Sequence, residues 1–170
     1  MLRVRPGVLD RRKGLLAGPA GLRCALGRSG AGPAALKREG DGRTPVGSWR
    51  ILGLRYRPDR MIRPKTRLPV RALRPSDGWC DDPRHGRYNR PVRLPFGAGH
   101  ERMWREDGLY DLVLVLDHND RPRIRGRGSA VFLHVARSGL EPTEGCVALP
   151  LPALRRLLAR LGPGARLKIG

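Results

Sequence analysis

The sequence predicts a mainly β domain with long loops and one short helix near its C-terminus. Its apolar residues fall in short runs that end at turn-forming residues, which is typical of strands. The 170 residues include 23 Gly and 16 Pro, spread between those runs without a repeat period. Only one stretch carries leucines at helical spacing. This length is sufficient for one hydrophobic core, so we expect a single domain over residues 1–170.

The first half of the chain predicts four short strands separated by loops. They cover residues 2–9, 22–26, 48–54 and 68–73. Residues 37–47 (KREGDGRTPVG) are polar and rich in turn formers, so we expect a surface loop there. Residues 55–100 contain many prolines and charges. We expect long loops with short strands in this region, including the strand at 68–73, and such a long irregular stretch is usually functional or poorly ordered.

The second half carries the clearest signals of regular structure. Residues 110–116 and 130–135 are apolar runs bounded by turns, the pattern of buried strands, and residues 146–149 and 165–169 predict two more short strands. The one helix opens at Pro152 and ends at Gly162-Pro163. Its apolar face consists of Leu154, Leu157, Leu158 and Leu161.

The strong positive charge is the main feature of the composition. Lys and Arg number 35 against 15 Asp and Glu, for a formal net charge of +20. This balance allows binding to nucleic acid, anionic lipid or an anionic wall polymer. The cations are scattered, and the three Trp, three Tyr and two Phe are not interleaved with them as a base-stacking surface requires. We therefore expect no nucleic-acid partner and interpret most of the arginines as a solvated surface.

Cysteine usage and hydropathy exclude several other classes of protein. Cys24, Cys80 and Cys146 are an odd number at wide spacing with no CxxC pair, which argues against a disulfide framework or a zinc ribbon. No run of about 18 apolar residues is present, so no transmembrane helix is predicted. Residues 15–20 are too short and too interrupted by Gly and Pro for the apolar region of a signal peptide. No export signal is visible.

A histidine and a cysteine form a candidate catalytic pair. His134 lies near the end of one predicted strand and Cys146 opens another. If the strands pair, the imidazole can take the thiol proton and later deliver it to a leaving amine. Gly145 leaves room for the backbone N–H groups of Gly145 and Cys146 to meet an oxyanion. The residue types and spacing alone leave a second interpretation open, a buried cysteine with a structural histidine.

The segments around this pair resemble the L,D-transpeptidase (YkuD) family. The resemblance rests on TEGCVAL (143–149), on FLH (132–134) and on KREGDGRTPVG (37–47). Members of the family carry a histidine, then a Ser/Thr-x-Gly-Cys segment, and a Thr-Pro-x-Gly segment in the same relative position. The resemblance covers about residues 20–169.

The resemblance implies a role for each matching residue. Cys146 would be the nucleophile that forms a thioester with a peptidoglycan stem peptide, and His134 would be the base and acid. Thr143, Glu144 and Gly145 would line the site, with Gly145 and the Cys146 amide forming the oxyanion hole. A backbone carbonyl usually orients the histidine in this family, so no carboxylate partner is required. No metal and no cofactor are expected. The implied fold is a β-sandwich-like catalytic domain, and the implied location is the periplasm or cell envelope.

Three departures from the family pattern bear on the substrate. Glu144 stands where a basic or polar residue is usual, and would oppose thiolate formation if it were close and ionised. Ala148 stands where many members have an arginine. The spacing between His134 and Cys146 is also shorter than is typical. These departures are compatible with short members of the family that join unusual stem-peptide positions, and carboxypeptidase or amidase side activities are expected alternatives.

Residues in the long middle region supply further candidates. Trp79, Tyr88 and Asn89 are candidate substrate-binding residues, although Trp79 and Tyr88 can equally anchor a long loop on the core. Cys80 has no histidine or Gly-Cys context and is expected to be inert.

Seven other residues receive a simpler interpretation. His85 and His100 are expected in surface loops, and Glu101 and Trp104 are expected to pack near the site. Asp117, His118 and Asp120 fit a turn at the end of a strand better than a metal site.

An alternative function follows from the charge rather than from the cysteine. In that interpretation the protein is a basic module that binds a wall polymer or nucleic acid, and its Cys-His pair is vestigial. The two hypotheses predict different geometry. A Cys146 sulfur within hydrogen-bond range of the nearest His134 nitrogen, or slightly beyond it, favours the enzyme, and opposite faces of the sheet favour the module.

Overall fold

The computed structural model describes residues 1–8, 10–17 and 21–170. The strands are β1 (Leu2–Pro6), β2 (Lys13–Ala17), β3 (Leu22–Ala25), β4 (Ala31–Pro33), β5 (Thr44–Tyr56), β6 (Val70–Ala72), β7 (Asp77–Cys80), β8 (Arg90–Arg93), β9 (His100–Arg102), β10 (Leu112–Leu116), β11 (Phe132–Val135), β12 (Val147–Leu149) and β13 (Arg166–Ile169). Helix α1 (Leu151–Leu158) lies between β12 and β13. The prediction of a mainly β fold with one short helix near the C-terminus is confirmed.

Eight of the strands form a closed circuit. The hydrogen-bonded order is β10-β11-β12-β3-β2-β1-β13-β5, and β5 also pairs with β10, which closes the circuit. The 13-residue length of β5 makes this possible. Its residues Gly47 to Arg50 pair with β13, and Ile51 to Tyr56 pair with β10. The β-sandwich-like fold that the resemblance implies is therefore a closed barrel, and its two sides share β5.

The inside of the barrel holds the larger hydrophobic core. It contains Val4, Leu16, Cys24, Leu114, Leu133, Val147 and Leu167, among others. Because side chains alternate along a strand, the residues between these point to the outside of the barrel. Helix α1 packs Leu154, Leu157 and Leu158 against the same core, which accounts for the helical spacing of its leucines.

A separate three-stranded sheet covers part of the outside of the barrel. Its order is β8-β7-β9, with both pairings antiparallel. A second apolar cluster lies between this small sheet and the outward faces of β10 and β11; it includes Trp79, Met103, Val113, Phe132 and Cys146. The small sheet is therefore the element that places a wall opposite Cys146.

The sequence predictions for the middle region and for the segment before β5 have different outcomes. Residues 55–100 consist mainly of loops with short strands, as predicted, and the strands β7, β8 and the start of β9 lie there in addition to β6. These strands are only three or four residues long, too short for a period of two to be visible. The segment 37–47 is not simply a surface loop, since β5 begins at Thr44 and Lys37 is buried.

The N-terminal region differs from expectation in its details. The first strand ends at Pro6 rather than at residue 9, and Leu9 lies outside the described residues. A strand that the sequence did not predict, β2, covers 13–17 and pairs with both β1 and β3. No helix in the described part of the chain is long and apolar enough to cross a membrane.

Candidate active site

A cavity of about 590 Å³ lies outside the barrel, between β11, β12 and the small sheet. It is lined by Cys146 and His134, by Lys37 and Glu39 from the segment before β5, by Asp81, His100 and Glu101 from the small sheet, and by Arg105 and Arg137, among others. The residues that the sequence singled out around Cys146 therefore meet residues from the middle region, of which only Glu101 was expected near the site.

Strand pairing places the histidine and the cysteine on one face. β11 and β12 are parallel neighbours, with Leu133 opposite Val147 and His134 opposite Ala148. Cys146 lies two residues before Ala148, so it shares the outward face of the barrel with His134. Both side chains line the cavity. The pair therefore does not lie on opposite faces of the sheet, the arrangement expected of the basic module.

The Cys146 thiol is nearly enclosed, with 9% of the residue exposed. Its S–H donates to Ala130 O at 3.2 Å, and the Phe132 N–H donates to Sγ at 3.4 Å. No hydrogen bond within the described residues joins Sγ to His134. Burial raises the pKa of Cys146 to about 12; the charge of Glu101 adds to this rise and that of Lys37 opposes it. The resting sulfur is therefore a protonated thiol.

The His134 imidazole is held as a neutral base. Its Nδ1 lies 2.8 Å from Val135 O, and because a carbonyl only accepts, Nδ1 carries the proton and Nε2 is the basic atom. The ring also contacts the Tyr110 ring, with 5.4 Å between centroids and an angle of 75°. Burial lowers the pKa of His134 to about 4, and the hydrogen bond to Val135 partly offsets this. The imidazole is consequently neutral at pH 7.

Two threonines hold the carbonyl of Cys146. Thr143 Oγ1 donates to Cys146 O at 2.7 Å and Thr44 Oγ1 donates to the same oxygen at 3.1 Å. Thr44 is fully buried and also accepts from the Gly27 N–H at 2.7 Å. The Thr-Pro-x-Gly and Gly-Cys segments thus meet at one peptide group, and this contact gives a physical reason for their joint occurrence.

Gly145 has a backbone conformation that favours glycine. Its φ is +130°, and a Cβ there would stand 2.9 Å from Arg43 O. The Gly145 N–H donates to Thr143 Oγ1 at 3.2 Å, so it is already engaged. The Cys146 N–H has no hydrogen-bond partner among residues 1–8, 10–17 and 21–170. Of the two donors expected for an oxyanion, only the Cys146 amide is free.

Lys37 is a charged residue of the cavity that the sequence analysis did not select. It is 4% exposed, its ammonium pairs with the Asp41 carboxylate, and it donates to Arg38 O at 2.9 Å. Lys37 Nζ lies 3.6 Å from the position that a Cβ would occupy on Gly145. The sequence feature that comes nearest to indicating this buried pair is the Lys-x-x-x-Asp spacing of Lys37 and Asp41 at the start of the segment 37–47.

Carboxylates line the opposite wall of the cavity. Glu101 accepts a hydrogen bond of 2.5 Å from the Tyr110 hydroxyl, and burial raises the pKa of Glu101. Burial and the nearby charge of Glu39 likewise raise the pKa of Asp81. His100 lines the cavity, so the expectation that it lies in a surface loop is wrong. With Arg105 and Arg137 also present, the cavity presents charges of both signs.

The two departures next to Cys146 have distinct outcomes. The Glu144 side chain is 77% exposed and accepts from Arg28 Nε at 2.7 Å, so it lies at the rim of the cavity in an ion pair. Ala148 lies opposite His134 and lines the cavity. Arginine side chains reach the cavity from elsewhere, namely Arg105 and Arg137.

The structure does not bring Trp79, Tyr88 and Asn89 to the cavity. All three are buried, and they do not line it. Trp79 Nε1 donates to Asn89 Oδ1 at 2.9 Å, and Asn89 Nδ2 donates to His118 O at 3.1 Å. The Tyr88 hydroxyl donates to Glu39. Because these contacts fix the small sheet to the barrel, their placement fits the anchoring interpretation and not direct contact with a substrate.

The remaining polar candidates are engaged in structural contacts. Asp117 accepts from the Arg50 N–H at 2.7 Å, Asp120 pairs with Arg90 at 2.6 Å, and His118 Nε2 lies 3.0 Å from Arg127 O. Cys80 is buried in the small sheet, and this burial raises its pKa. Within the described residues, no group of three or more His, Cys, Asp or Glu side chains is arranged to hold a metal ion.

Comparison with known proteins identifies the family. The family model of the YkuD L,D-transpeptidase catalytic domain matches residues 8–169, nearly the whole chain. No curated protein and no solved structure matches the chain. The family implies a peptidoglycan substrate and a site of action at the cell wall. The resemblance read from the sequence is thereby confirmed, and the chain belongs to the YkuD family of L,D-transpeptidases.

Proposed function

We propose that the protein is a peptidoglycan L,D-transpeptidase that works through a thioester on Cys146. The observation that carries this proposal is the placement of Cys146 and His134 on one face of paired strands, in one cavity. The basic-module alternative predicts opposite faces, so the geometry favours the enzyme. Because peptidoglycan lies outside the cytoplasm, the proposed site of action is the periplasm or cell envelope.

Before substrate binds, both the Cys146 thiol and the His134 imidazole are neutral. A thiol with a pKa of about 12 and an imidazole with a pKa of about 4 do not form a thiolate–imidazolium pair before substrate binds. Proton transfer therefore accompanies attack on the carbonyl. The thiol first turns away from Ala130 O, its hydrogen-bond partner at rest, and toward His134 Nε2.

Acylation then follows in two steps. The sulfur bonds to the carbonyl carbon of a donor stem peptide, and the thiol proton passes to His134 Nε2. The oxyanion accepts from the Cys146 N–H. Thr44 and Thr143 hold the carbonyl oxygen of the same residue, which fixes the backbone on the other side of its Cα. His134 next gives its proton to the leaving amine as the C–N bond breaks, which leaves the thioester.

An acceptor amine completes the reaction. It attacks the thioester, His134 accepts its proton, and this proton returns to the sulfur as the new amide forms. Attack by water in place of the amine would give the carboxypeptidase reaction. The carboxylates of Glu39, Asp81 and Glu101 on the far wall support an acceptor that carries an amine. The changed residues Glu144 and Ala148 support a link at an unusual stem-peptide position.

Lys37 is proposed to assist the same step through its charge. It is a buried cation beside Gly145, and it lowers the pKa of Cys146 against the effect of burial. Negative charge develops first on the sulfur and then on the oxyanion, and a fixed cation in a site that excludes water stabilises both.

Cross-linking of purified muropeptides tests the proposal. The full chain is incubated with disaccharide-tetrapeptides, and mass spectrometry with fragmentation locates any new bond. We expect cross-linked dimers from the wild-type protein and none from Cys146→Ala. Dimers formed at an undiminished rate by Cys146→Ala would overturn the proposed mechanism. The fragment masses report which stem positions are joined.

A further inference from the structure

Acidic residues are unevenly distributed along the chain. Of the 15 Asp and Glu residues, only Asp10 lies in residues 1–38 or 145–170. These two segments form one side of the barrel, because β1, β2 and β3 come from the first and β13 from the second. These four strands are consecutive in the circuit, in the order β3-β2-β1-β13. One side of the molecule is therefore built from almost acid-free sequence.

The outward residues of these strands form a continuous basic surface. Arg3 lies opposite Lys168 across β1 and β13, and Leu15 on β2 lies between Arg5 and Arg23. Their neighbours along each strand, such as Val4 and Leu167, point into the core. We call Arg3, Arg5, Arg23 and Lys168, together with Leu15, the basic sheet face.

The basic sheet face carries charge that no described acidic side chain balances, and the hydrogen bond from Arg3 Nε goes to the Gly170 main-chain oxygen at 3.2 Å. Within the part of the chain that the structure describes, none of its four cations forms an ion pair with Asp or Glu. Asp10, the acid nearest in sequence, pairs with Arg12 and Lys13 instead. Like charges opposite one another on neighbouring strands destabilise a sheet, and an anionic partner removes that repulsion.

The part of the basic sheet face on β1 and β13 points away from the cavity. In the circuit of eight strands, β1 is four strands from β11, which carries His134, and β13 is four strands from β12, which follows Cys146. Arg23 lies nearer, because its strand β3 pairs with β12. A partner bound to this face therefore leaves the cavity open on the other side of the barrel.

We propose that the basic sheet face docks the protein on an anionic phospholipid bilayer. The cations are spread over neighbouring strands about 4.8 Å apart, a two-dimensional array that matches a planar layer of phosphates better than a single threaded polymer. Leu15 is 45% exposed between two arginines, where it can reach the boundary between headgroups and acyl chains. The strands contain no aromatic residue on which a base could stack.

Sedimentation with vesicles tests this docking and is independent of the proposed cross-linking activity. The full chain is mixed with vesicles of phosphatidylcholine and phosphatidylglycerol, or of phosphatidylcholine alone. The variant Arg3→Gln/Arg5→Gln/Arg23→Gln is compared with Arg84→Gln/Arg121→Gln/Arg125→Gln, which removes the same charge elsewhere. Binding falls about fivefold for each cation lost from a membrane surface, or about a hundredfold for three. We expect that loss in the first variant and near wild-type binding in the second.

Two further measurements decide the nature of the partner. Leu15→Ser is expected to weaken vesicle binding and to leave binding to soluble polyphosphate unchanged. Equal losses in the two triple variants would overturn the proposal, because net charge alone would then explain the binding. Tighter binding of polyphosphate or duplex DNA than of vesicles, through the same arginines, would also overturn it. Muropeptide cross-linking in solution should be the same in both triple variants, which separates a failure of docking from a failure of the enzyme.

Discussion

Cys24 lies on β3 and Cys146 immediately precedes the neighbouring strand β12, yet the two cysteines have different surroundings. β3 and β12 pair through Ala25 and Ala148. Ala25 directly follows Cys24, and Ala148 lies two residues after Cys146. Burial raises both thiol pKa values to about 12. Cys24 points into the barrel core, and Cys146 points outward into the cavity that His134 lines. A shifted pKa therefore does not distinguish a nucleophile here; the face of the strand and the neighbours across it do.

The largest expected effect is the loss of all acylation in one cysteine variant and in no other. A carbapenem should add once to the wild-type protein and not at all to Cys146→Ala. Cys24→Ala should still be acylated at the wild-type rate, although its free energy of unfolding should fall by about 1 kcal/mol because a buried side chain is truncated. Intact-protein mass spectrometry and thermal unfolding measure the two effects. An adduct on Cys146→Ala would place the reactive thiol elsewhere.

The next effect compares two buried histidines whose pKa values are both lowered by burial, His134 and His118. Only His134 lines the cavity, and His118 contacts the Arg127 carbonyl instead. Loss of a general base typically reduces a rate by about 10²- to 10⁴-fold. We expect a loss of that size in single-turnover acylation by His134→Gln and almost none by His118→Gln. Similar losses in both variants would indicate a structural role for His134.

A smaller effect is expected at Lys37, because it acts on Cys146 through its charge. Lys37→Met should slow acylation by about tenfold to a hundredfold, which is a smaller rate loss than removal of an oxyanion-hole donor causes. The rate of alkylation by iodoacetamide, followed against pH at each cysteine, provides the decisive readout. Without Lys37 the pKa of Cys146 should rise further and that of Cys24 should not change. Because Lys37→Met leaves Asp41 unpaired, Lys37→Met/Asp41→Asn serves as the control for local misfolding. A normal Cys146 titration in both variants would contradict the proposed role.

The His134 environment also predicts how stability depends on pH. The folded pKa of about 4 lies below the ordinary value of 6.5, so the folded state disfavours the protonated ring. This contribution to stability is complete above pH 6.5 and is lost as the pH falls toward 4, with a maximum loss of about 3 kcal/mol. Chemical denaturation across this range should show a steeper decline for the wild-type protein than for His134→Gln. Parallel curves would mean that His134 is already solvated in the folded protein.

The sequence predicted best those parts of the site that lie within single apolar runs. His134 and Cys146 each belong to or adjoin such a run, and pairing of the two runs is enough to bring them to one cavity. Lys37 was missed because a lysine in a polar, Gly-rich segment is normally solvated; its burial depends on Asp41 and on packing beside Gly145. Trp79 and Asn89 were interpreted as substrate contacts because the strands that bury them are too short to show a period.

The closure of the barrel was also outside the reach of sequence patterns. It depends on β5 exchanging β13 for β10 as its partner between Arg50 and Ile51, and no local residue preference marks that point. The basic sheet face depends on the same closure. Alternation along β1, β3 and β13 is visible in the sequence, but only the register shows that Arg3 and Lys168 are neighbours on one surface.

The smallest expected effect is at Glu144, the residue beside the catalytic segment that departs from the family pattern. Its carboxylate is exposed and paired with Arg28, and exposed pairs contribute at most about 1 kcal/mol. Among the acids that raise the pKa of Cys146, Glu101 has the larger effect and Glu144 the smaller. We therefore expect Glu144→Gln to change the rate of carbapenem acylation by less than about threefold. Arg28→Gln, which frees the carboxylate, is the matched control and should slow acylation slightly. A tenfold acceleration by Glu144→Gln would show that this charge acts directly on the thiol.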